Sequence, residues 1–230
     1  MSRPPYRLAF CPRREAERTL SDPAELRARF GPAELAELEA LPERRKLDRV
    51  AGRLAAKRAL AAHFLGEYGW EADAAELAVF NDATGRPRLT LPKGAPAPAP
   101  SFSISHCAQG GAAAVASPGR RVGVDIETIV ARPAKVIAFV ATPEELASGP
   151  YDDAGAQARL WTGKEATLKM LGLGLDADAR CVRLEADGVI LTDRPAQAWS
   201  ALGSPSVHLD YDGADGAQIA VAYTGDDHHG

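Results

Sequence analysis

The sequence has few cysteines and no long apolar run, and each shortage excludes a class of protein. Its three cysteines, Cys11, Cys107 and Cys181, lie far apart, so they form neither a disulfide framework nor a CxxC metal site. No apolar run approaches the roughly 20 residues that a membrane-spanning helix needs. The first residues also lack the apolar core of a signal peptide. We therefore expect a cytoplasmic protein with no membrane partner.

Positive charge is not in excess either. The chain carries 27 Lys and Arg against 31 Asp and Glu, a formal net charge of -4, which argues against a nucleic-acid partner because such domains are usually basic. The basic residues do cluster on a helix predicted over residues 43–65, whose polar side carries Arg45, Arg49, Arg53 and Lys57. This ridge is either a solvated helix face or a patch that binds phosphate.

Several common catalytic motifs are missing. The sequence has no HExxH, no P-loop and no G-x-S-x-G elbow. What is present is ordinary globular composition, 46% hydrophobic and 25% charged over 230 residues, which suits one large domain or two small ones.

The apolar pattern runs through helices, then strands, and then repeats that order. Helices are predicted over residues 21–31, 32–42, 43–65 and 159–172, with a further start at Thr142. Strands are predicted over residues 6–10, 76–80, 86–91, 101–106, 111–117 and 121–127, and at "CVRLEA", "GVILT", "SVHLDY" and "AQIAVAYT". We therefore predict an α+β chain of two comparable halves, residues 1–118 and 119–230, without a clear sequence repeat.

The strand "VGVDIET" carries two carboxylates. Side chains alternate along a strand, so Asp125 and Glu127 project from one face and Val124 and Ile126 from the other. Two carboxylates on one face suit a hard divalent ion such as Mg²⁺, which prefers oxygen ligands. The alternative is a polar strand end that faces solvent.

The strand "SFSISHC" ends in a histidine, and the turn "TGRPRL" places Arg86 after a glycine. His106 could donate to a phosphate or titrate near neutral pH, or it could hydrogen-bond nearby backbone. Ser105 and His106 do not by themselves make a hydrolase triad. Arg86 standing alone would be a solvated turn residue.

The helix "RLWTGKEATLKMLG" groups three charges beside a tryptophan. Glu165 precedes Lys169 by four residues, the favourable order for an exposed ion pair worth ~0.3–0.5 kcal/mol. Trp161 is assigned to packing, and Lys164 is either a surface residue or a phosphate contact. Gly172 marks the expected end of the helix.

Taken in order, GRP, SxSH, GVDIE and W-x-x-K-E-A-x-x-K resemble the phosphopantetheinyl transferase superfamily. The similarity is to the longer type with two fused halves, named after the surfactin-synthetase transferase. It covers residues 85–175 well and the basic helix more loosely. The short holo-carrier synthases, which lack the Trp-led motif, fit less well. The resemblance implies two similar α/β halves related by pseudo-twofold symmetry.

The resemblance also implies a role for each matched residue. Asp125 and Glu127 match Mg²⁺ ligands, and Glu165 matches a residue that is either a third Mg²⁺ ligand or the base that takes the proton of the acceptor serine. Lys169 and His106 match residues that contact the phosphates. The remaining positions that the resemblance assigns to coenzyme A are Arg44, Arg49, Arg53, Arg58, Arg86, Ser105 and Lys164. Where the family often has Ser or Thr after the SH motif, this chain has Cys107.

The implied activity is the Mg²⁺-dependent transfer of the phosphopantetheine arm of coenzyme A to a serine of an acyl or peptidyl carrier protein, with release of 3′,5′-ADP. Two fused halves would make a monomer sufficient. One alternative is a catalytically silent relative that binds coenzyme A or a carrier protein. Another is a metal-dependent phosphohydrolase in which water replaces the serine.

Overall fold

The computed structural model describes residues 4–96, 98–149, 151, 153–174, 177–186 and 188–225. The chain divides into two compact units, Met1–Gly119 and Arg120–Gly230. The helices are α1 (Arg13–Ser21), α2 (Pro23–Arg29), α3 (Pro32–Glu39), α4 (Glu43–Tyr68), α5 (Ala134–Ile137), α6 (Pro143–Ser148), α7 (Ala154–Leu171) and α8 (Asp193–Ser200). The strands are β1 (Tyr6–Pro12), β2 (Ala78–Asn81), β3 (Pro87–Thr90), β4 (Phe102–Cys107), β5 (Gly110–Ala116), β6 (Val122–Thr128), β7 (Val182–Glu185), β8 (Gly188–Leu191), β9 (Val207–Ala214) and β10 (Ala217–Thr224).

The first unit is a three-stranded antiparallel sheet covered by one long helix. The strand order is β1-β5-β4, and α4 packs against all three strands. Its core is apolar and centres on Val50, Leu54, Leu60 and Phe64 of the helix. The helix ends where Gly69 takes a left-handed conformation, φ 65°, which glycine adopts without the steric penalty of a side chain.

The second unit has a similar plan. The antiparallel sheet has the order β6-β10-β9, and α7 packs against β6 and β10. Asp153 caps the start of α7, because its carboxylate accepts a hydrogen bond from the Ala156 amide at 2.8 Å. The helix ends at Gly172, φ 76°, as the sequence predicts.

A glycine on the central sheet of the second unit allows α7 to approach β6 closely. A Cβ on Gly123 would overlap the carbonyl oxygen of Ala166 and the amide nitrogen of Met170. The next residue, Val124, is also buried, and its side chain projects from the opposite face of the sheet. The backbone of α7 therefore lies directly on β6, next to Asp125.

The structure confirms the α+β class, and the predicted helices and strands are present with shifted ends. Three helices were not predicted: α1, α5 and α8. Of the two interpretations of the basic residues of α4, the solvated helix face is wrong for Arg53 and Lys57, which are 5% and 2% exposed. Lys57 is buried against Glu34, with 2.7 Å between Nζ and Oε2. The pseudo-twofold relation of the halves stays a prediction.

Within the described ranges, no helix combines the length and the apolar character needed to cross a bilayer.

Candidate active site

Helix α7 brings Lys169 to the carboxylate of Asp125 on β6. Lys169 Nζ lies 2.7 Å from Asp125 Oδ1 and donates a hydrogen bond to it. The Asp125 side chain is only 7% exposed and that of Lys169 is 22% exposed. The two motifs that the sequence separates by about forty residues are thus in direct contact, and the acidic strand is partly neutralised by a lysine.

Glu165 lies one helical turn before Lys169 and is buried. Within the described part of the chain, its Oε2 has no hydrogen-bond partner. Burial, together with the charge of Asp125, raises the pKa of Glu165 from 4.5 to about 6, although Lys169 acts in the opposite direction. A buried carboxylate with a free oxygen and a raised pKa has the properties of a general base.

Glu127, two residues beyond Asp125, pairs with an arginine that no sequence motif singles out. Arg132 Nη2 donates to Glu127 Oε2 at 2.6 Å. Burial raises the pKa of Glu127, and the charge of Asp125 adds to the effect, while Arg132 opposes it. Asp125, Glu127 and Glu165 therefore lie close enough for their charges to interact.

Asp125, Glu127 and Glu165 together are called the acidic cluster here, and their oxygen donors fit a hard divalent cation. All three side chains offer carboxylate oxygens, and their mutual repulsion would be relieved by a cation such as Mg²⁺. The free buried oxygen of Glu165 provides one position for it. As the side chains are placed, no group of three His, Cys, Asp or Glu residues in the described ranges could hold a metal, and cationic side chains occupy one oxygen each of Asp125 and Glu127. Their convergence on one ion stays a prediction.

Lys164, next to Glu165, is enclosed by the protein. Its side chain is 0% exposed, and Nζ lies 2.7 Å from Glu145 Oε2. Glu145 also accepts a hydrogen bond from the Thr142 amide at 2.9 Å, so the lysine joins α7 to the predicted capping box of α6. The interpretation of Lys164 as a surface residue is wrong, and a phosphate contact would require this buried pair to break.

The arginines predicted to hold coenzyme A lie along α4 in the first unit. Arg49 pairs with Glu37 at 3.2 Å, and Arg53 donates to Asn81 Oδ1 at 2.7 Å. Arg58 pairs with Glu15 and donates to the Phe10 carbonyl at 3.2 Å. Arg44 is exposed in the first turn. Since Arg44 and Arg58 are separated by roughly 21 Å of helix, the four side chains cannot all contact one phosphate.

The other predicted ligand residues of the first unit lie on β4 and after β2. His106 is half exposed, and its Nδ1 is 3.9 Å from Asp48 Oδ2 on α4. Ser105 beside it is buried at 8% exposure. Arg86 is exposed, and its backbone amide donates to Asp82 at 3.1 Å in the predicted turn. These positions leave His106, Arg44 and Arg86 accessible to a ligand from solvent.

A separate cavity of about 580 Å³ lies between α7 and the β9 edge of the second sheet. Its wall includes Arg159, whose guanidinium lies 3.5 Å above the ring of Tyr211. The residues described as lining it include none of the predicted site residues. The cavity is therefore distinct from the acidic cluster beside β6.

The chain is therefore an α+β protein in which helix α7 carries Lys169 and the buried Glu165 beside strand β6, which carries Asp125 and Glu127. The ACPS family model, described as the 4′-phosphopantetheinyl transferase superfamily, matches residues 121–222, which span most of the second unit. This match agrees with the resemblance to that superfamily that the motifs predict, and it supports the predicted class of enzyme, a phosphopantetheinyl transferase.

Solved structures of holo-acyl-carrier-protein synthases are also similar in part. One from Bacillus anthracis, in complex with CoA (3′,5′-ADP), is 22% identical, covers 49% of this chain and 95% of its own, and has a TM-score of 0.40. One from Helicobacter pylori, in complex with coenzyme A, is 20% identical over 44% of this chain and 96% of its own, with a TM-score of 0.37. One from Plasmodium yoelii is 19% identical, covers 46% of this chain and 96% of its own, and has a TM-score of 0.39. At these levels the similarities say nothing about activity, and no curated protein matches the sequence.

Proposed function

We propose that the chain transfers the 4′-phosphopantetheine arm of coenzyme A to a serine of an acyl or peptidyl carrier protein and releases 3′,5′-ADP. The observation that carries this proposal is Glu165: a buried carboxylate with a free oxygen, set among Asp125, Glu127 and Lys169. It lies inside the segment that matches the transferase superfamily. The longer, two-halved subtype is part of the same proposal.

In the proposed reaction, Glu165 takes the proton of the serine hydroxyl, which is a poor nucleophile until it is deprotonated. The serine oxygen then forms a bond to the phosphorus that carries the pantetheine arm, and the bond from that phosphorus to 3′,5′-ADP breaks. The leaving phosphate gains negative charge as this bond breaks. Lys169, held beside Asp125 at 2.7 Å, supplies positive charge to it.

Asp125, Glu127 and Glu165 would hold Mg²⁺, which when bound neutralises charge on the pyrophosphate. On the first unit, Arg44 would bind the 3′-phosphate of coenzyme A, and His106 would donate to the phosphates. Arg86 and Ser105 would contact the adenosine end. A single polypeptide with both sets of residues would act as a monomer.

The test is the intact mass of an apo carrier protein after incubation with the chain, coenzyme A and Mg²⁺. A gain equal to one phosphopantetheine arm, with equimolar 3′,5′-ADP, supports the proposal. No gain with acyl, polyketide and peptidyl carriers, despite binding of coenzyme A, would favour a silent binding protein. Breakdown of coenzyme A without any carrier would favour a phosphohydrolase.

A further inference from the structure

Arg132 contacts the acidic cluster through Glu127. Arg132 lies just after β6, and its Nη2 donates to Glu127 Oε2 at 2.6 Å and to the Thr128 carbonyl at 3.3 Å. Its side chain is 12% exposed, whereas that of Glu127 is 29% exposed. A partly exposed glutamate at the end of a strand is thus fixed by a mostly buried cation.

Helix α7 in turn holds Arg132 at two points. Gln157, which is buried, accepts a hydrogen bond from the Arg132 amide at 2.7 Å and donates to the Tyr151 carbonyl at 2.8 Å. Trp161, one turn further along, lies with its ring centroid 5.5 Å from the Arg132 guanidinium, within the range of a cation–π contact. The next turn of the same face leads to Glu165.

We infer that Arg132 is a positioning residue for Glu127 and that Trp161 acts on the reaction through Arg132; this inference rests on the proposed function. The planar guanidinium can stack on the indole and hold a carboxylate oxygen at the same time, which an ammonium group does less well. With one oxygen of Glu127 held, the carboxylate presents its other oxygen in a fixed orientation. Partners of this kind typically change metal affinity by 10–100-fold when they are removed.

The competing interpretation is that Arg132 only neutralises Glu127 and competes with a metal ion for it. The two interpretations predict opposite results. If Arg132 positions the carboxylate, its loss weakens metal binding. If it competes, its loss leaves metal binding unchanged or strengthens it.

The experiment is a titration with Mn²⁺ alone, in which the free ion is measured by electron paramagnetic resonance. We expect the dissociation constant to rise about 10-fold in Arg132→Ala and by a similar factor in Arg132→Lys, which keeps the charge but loses the planar fork. Trp161→Leu is expected to shift it in the same direction by a smaller factor. Circular dichroism of each variant reports whether the fold is retained.

Arg159→Ala is the matched control, because Arg159 also stacks on an aromatic ring of the second unit but lies at the cavity beside Tyr211. It should leave Mn²⁺ binding unchanged. In a Glu127→Gln background, replacing Arg132 should have no further effect on the dissociation constant, a dependence that a merely structural role would not produce.

Unchanged or tighter Mn²⁺ binding by folded Arg132→Ala would overturn the inference, as would a wild-type chain that binds no Mn²⁺. Carrier loading by the wild-type protein is measured separately. If the wild type loads a carrier while Arg132→Ala binds Mn²⁺ normally, only the positioning role fails. If the wild type loads no carrier, the proposed function fails.

Discussion

At Glu165, a carboxylate has been placed where it has little contact with water. Burial and the charge of Asp125 both disfavour its ionised form, so its pKa rises to about 6. A protein gains no stability from such a group at neutral pH. The position is understandable if the carboxylate accepts a proton during a reaction, because a base works best with a pKa near the pH at which it acts.

Stability should therefore depend on pH through Glu165. Between pH 4.5 and about 6 the folded chain binds a proton that the unfolded chain does not, so the free energy of unfolding falls as pH rises through this range. The Glu165→Gln variant has no carboxylate at this position, so its free energy of unfolding does not fall in this way. In metal-free buffer it should be more stable than the wild type above pH 6, by about 2 kcal/mol, and the difference should vanish below pH 4.5. Urea denaturation at several pH values measures it.

The matched control is Glu71→Gln, at an exposed glutamate of the first unit. It should leave the free energy of unfolding within about 0.5 kcal/mol of the wild type at every pH. If the Glu165→Gln variant is less stable than the wild type at about pH 7.5, the ionised carboxylate is stabilised in the fold, contrary to the expected effect of its burial.

The residues of the acidic cluster were predictable because their motifs are local. Alternation along β6 separates Asp125 from Val124, and one helical turn separates Glu165 from Lys169. The partners of these residues were not predictable. Arg132 follows β6 in a stretch without periodic pattern, and its pairing with Glu127 and Trp161 depends on how two elements pack.

At the scale of elements, the close contact between α7 and β6 decides where the charged side chains meet. Gly123 is the feature that permits it, because any side chain there would overlap the backbone of α7. The contact between Lys169 and Asp125 depends on this spacing. The close packing of α7 on β6 therefore explains the glycine of the GVDIE motif without reference to a ligand.

Gly123→Ala should destabilise the second unit and separate Lys169 from Asp125. We expect a loss of about 3 kcal/mol in the free energy of unfolding, at the upper end for overpacking because the obstructing atoms are backbone. Gly213→Ala on β9 is the control, since a Cβ there would lie 3.7 Å from the nearest atom, an ordinary contact. Urea denaturation compares the two variants, and equal stability would contradict the close approach of α7 to β6.

The pair of Lys164 and Glu145 joins α6 to α7. Lys164→Met would leave Glu145 buried without its cation, which typically destabilises by roughly 3–5 kcal/mol. Thermal unfolding of this variant, with Lys135→Met at an exposed lysine as control, measures the effect. Adding Glu145→Gln to Lys164→Met should recover part of the loss. A Lys164→Met protein as stable as the control would mean that the pair has no structural role.

The order of elements was predictable because apolar periodicity and Gly or Pro punctuation are strong over most of the chain. Helix α1 was missed because its residues, "RREAERTLS", form a charged segment in which only Ala16 and Thr19 are buried. The burial of Arg53 and Lys57 was missed because their positions look solvated on a helix considered alone. Only the packing of α3 and β2 around them makes their partners available.

At the scale of the whole molecule, the proposed roles are divided between the units. The first unit carries the residues proposed for the 3′-phosphate and the adenosine end of coenzyme A, and the second carries the acidic cluster and Lys169, proposed for the pyrophosphate. Substitution of a first-unit residue proposed to bind coenzyme A should therefore change the KM for coenzyme A, and substitution of a residue of the acidic cluster should change kcat.

Arg44→Ala tests this division. If Arg44 binds the 3′-phosphate, its loss should raise the KM for coenzyme A by roughly 10-fold to 100-fold, the range for hydrogen bonds to charged groups. The KM for 3′-dephospho-coenzyme A should stay the same. Arg27→Ala, at another exposed arginine of the first unit, should change neither. An equal rise of the KM for both substrates in Arg44→Ala would show that Arg44 does not bind the 3′-phosphate.

The rate of carrier loading by Glu165→Gln, followed by intact mass under saturating coenzyme A and Mg²⁺, tests the central claim most directly. We expect a folded protein whose rate is at least about 100-fold below that of the wild type, because an amide cannot take the serine proton. A Glu165→Gln protein that loads the carrier at the wild-type rate would contradict the role of this carboxylate as the base.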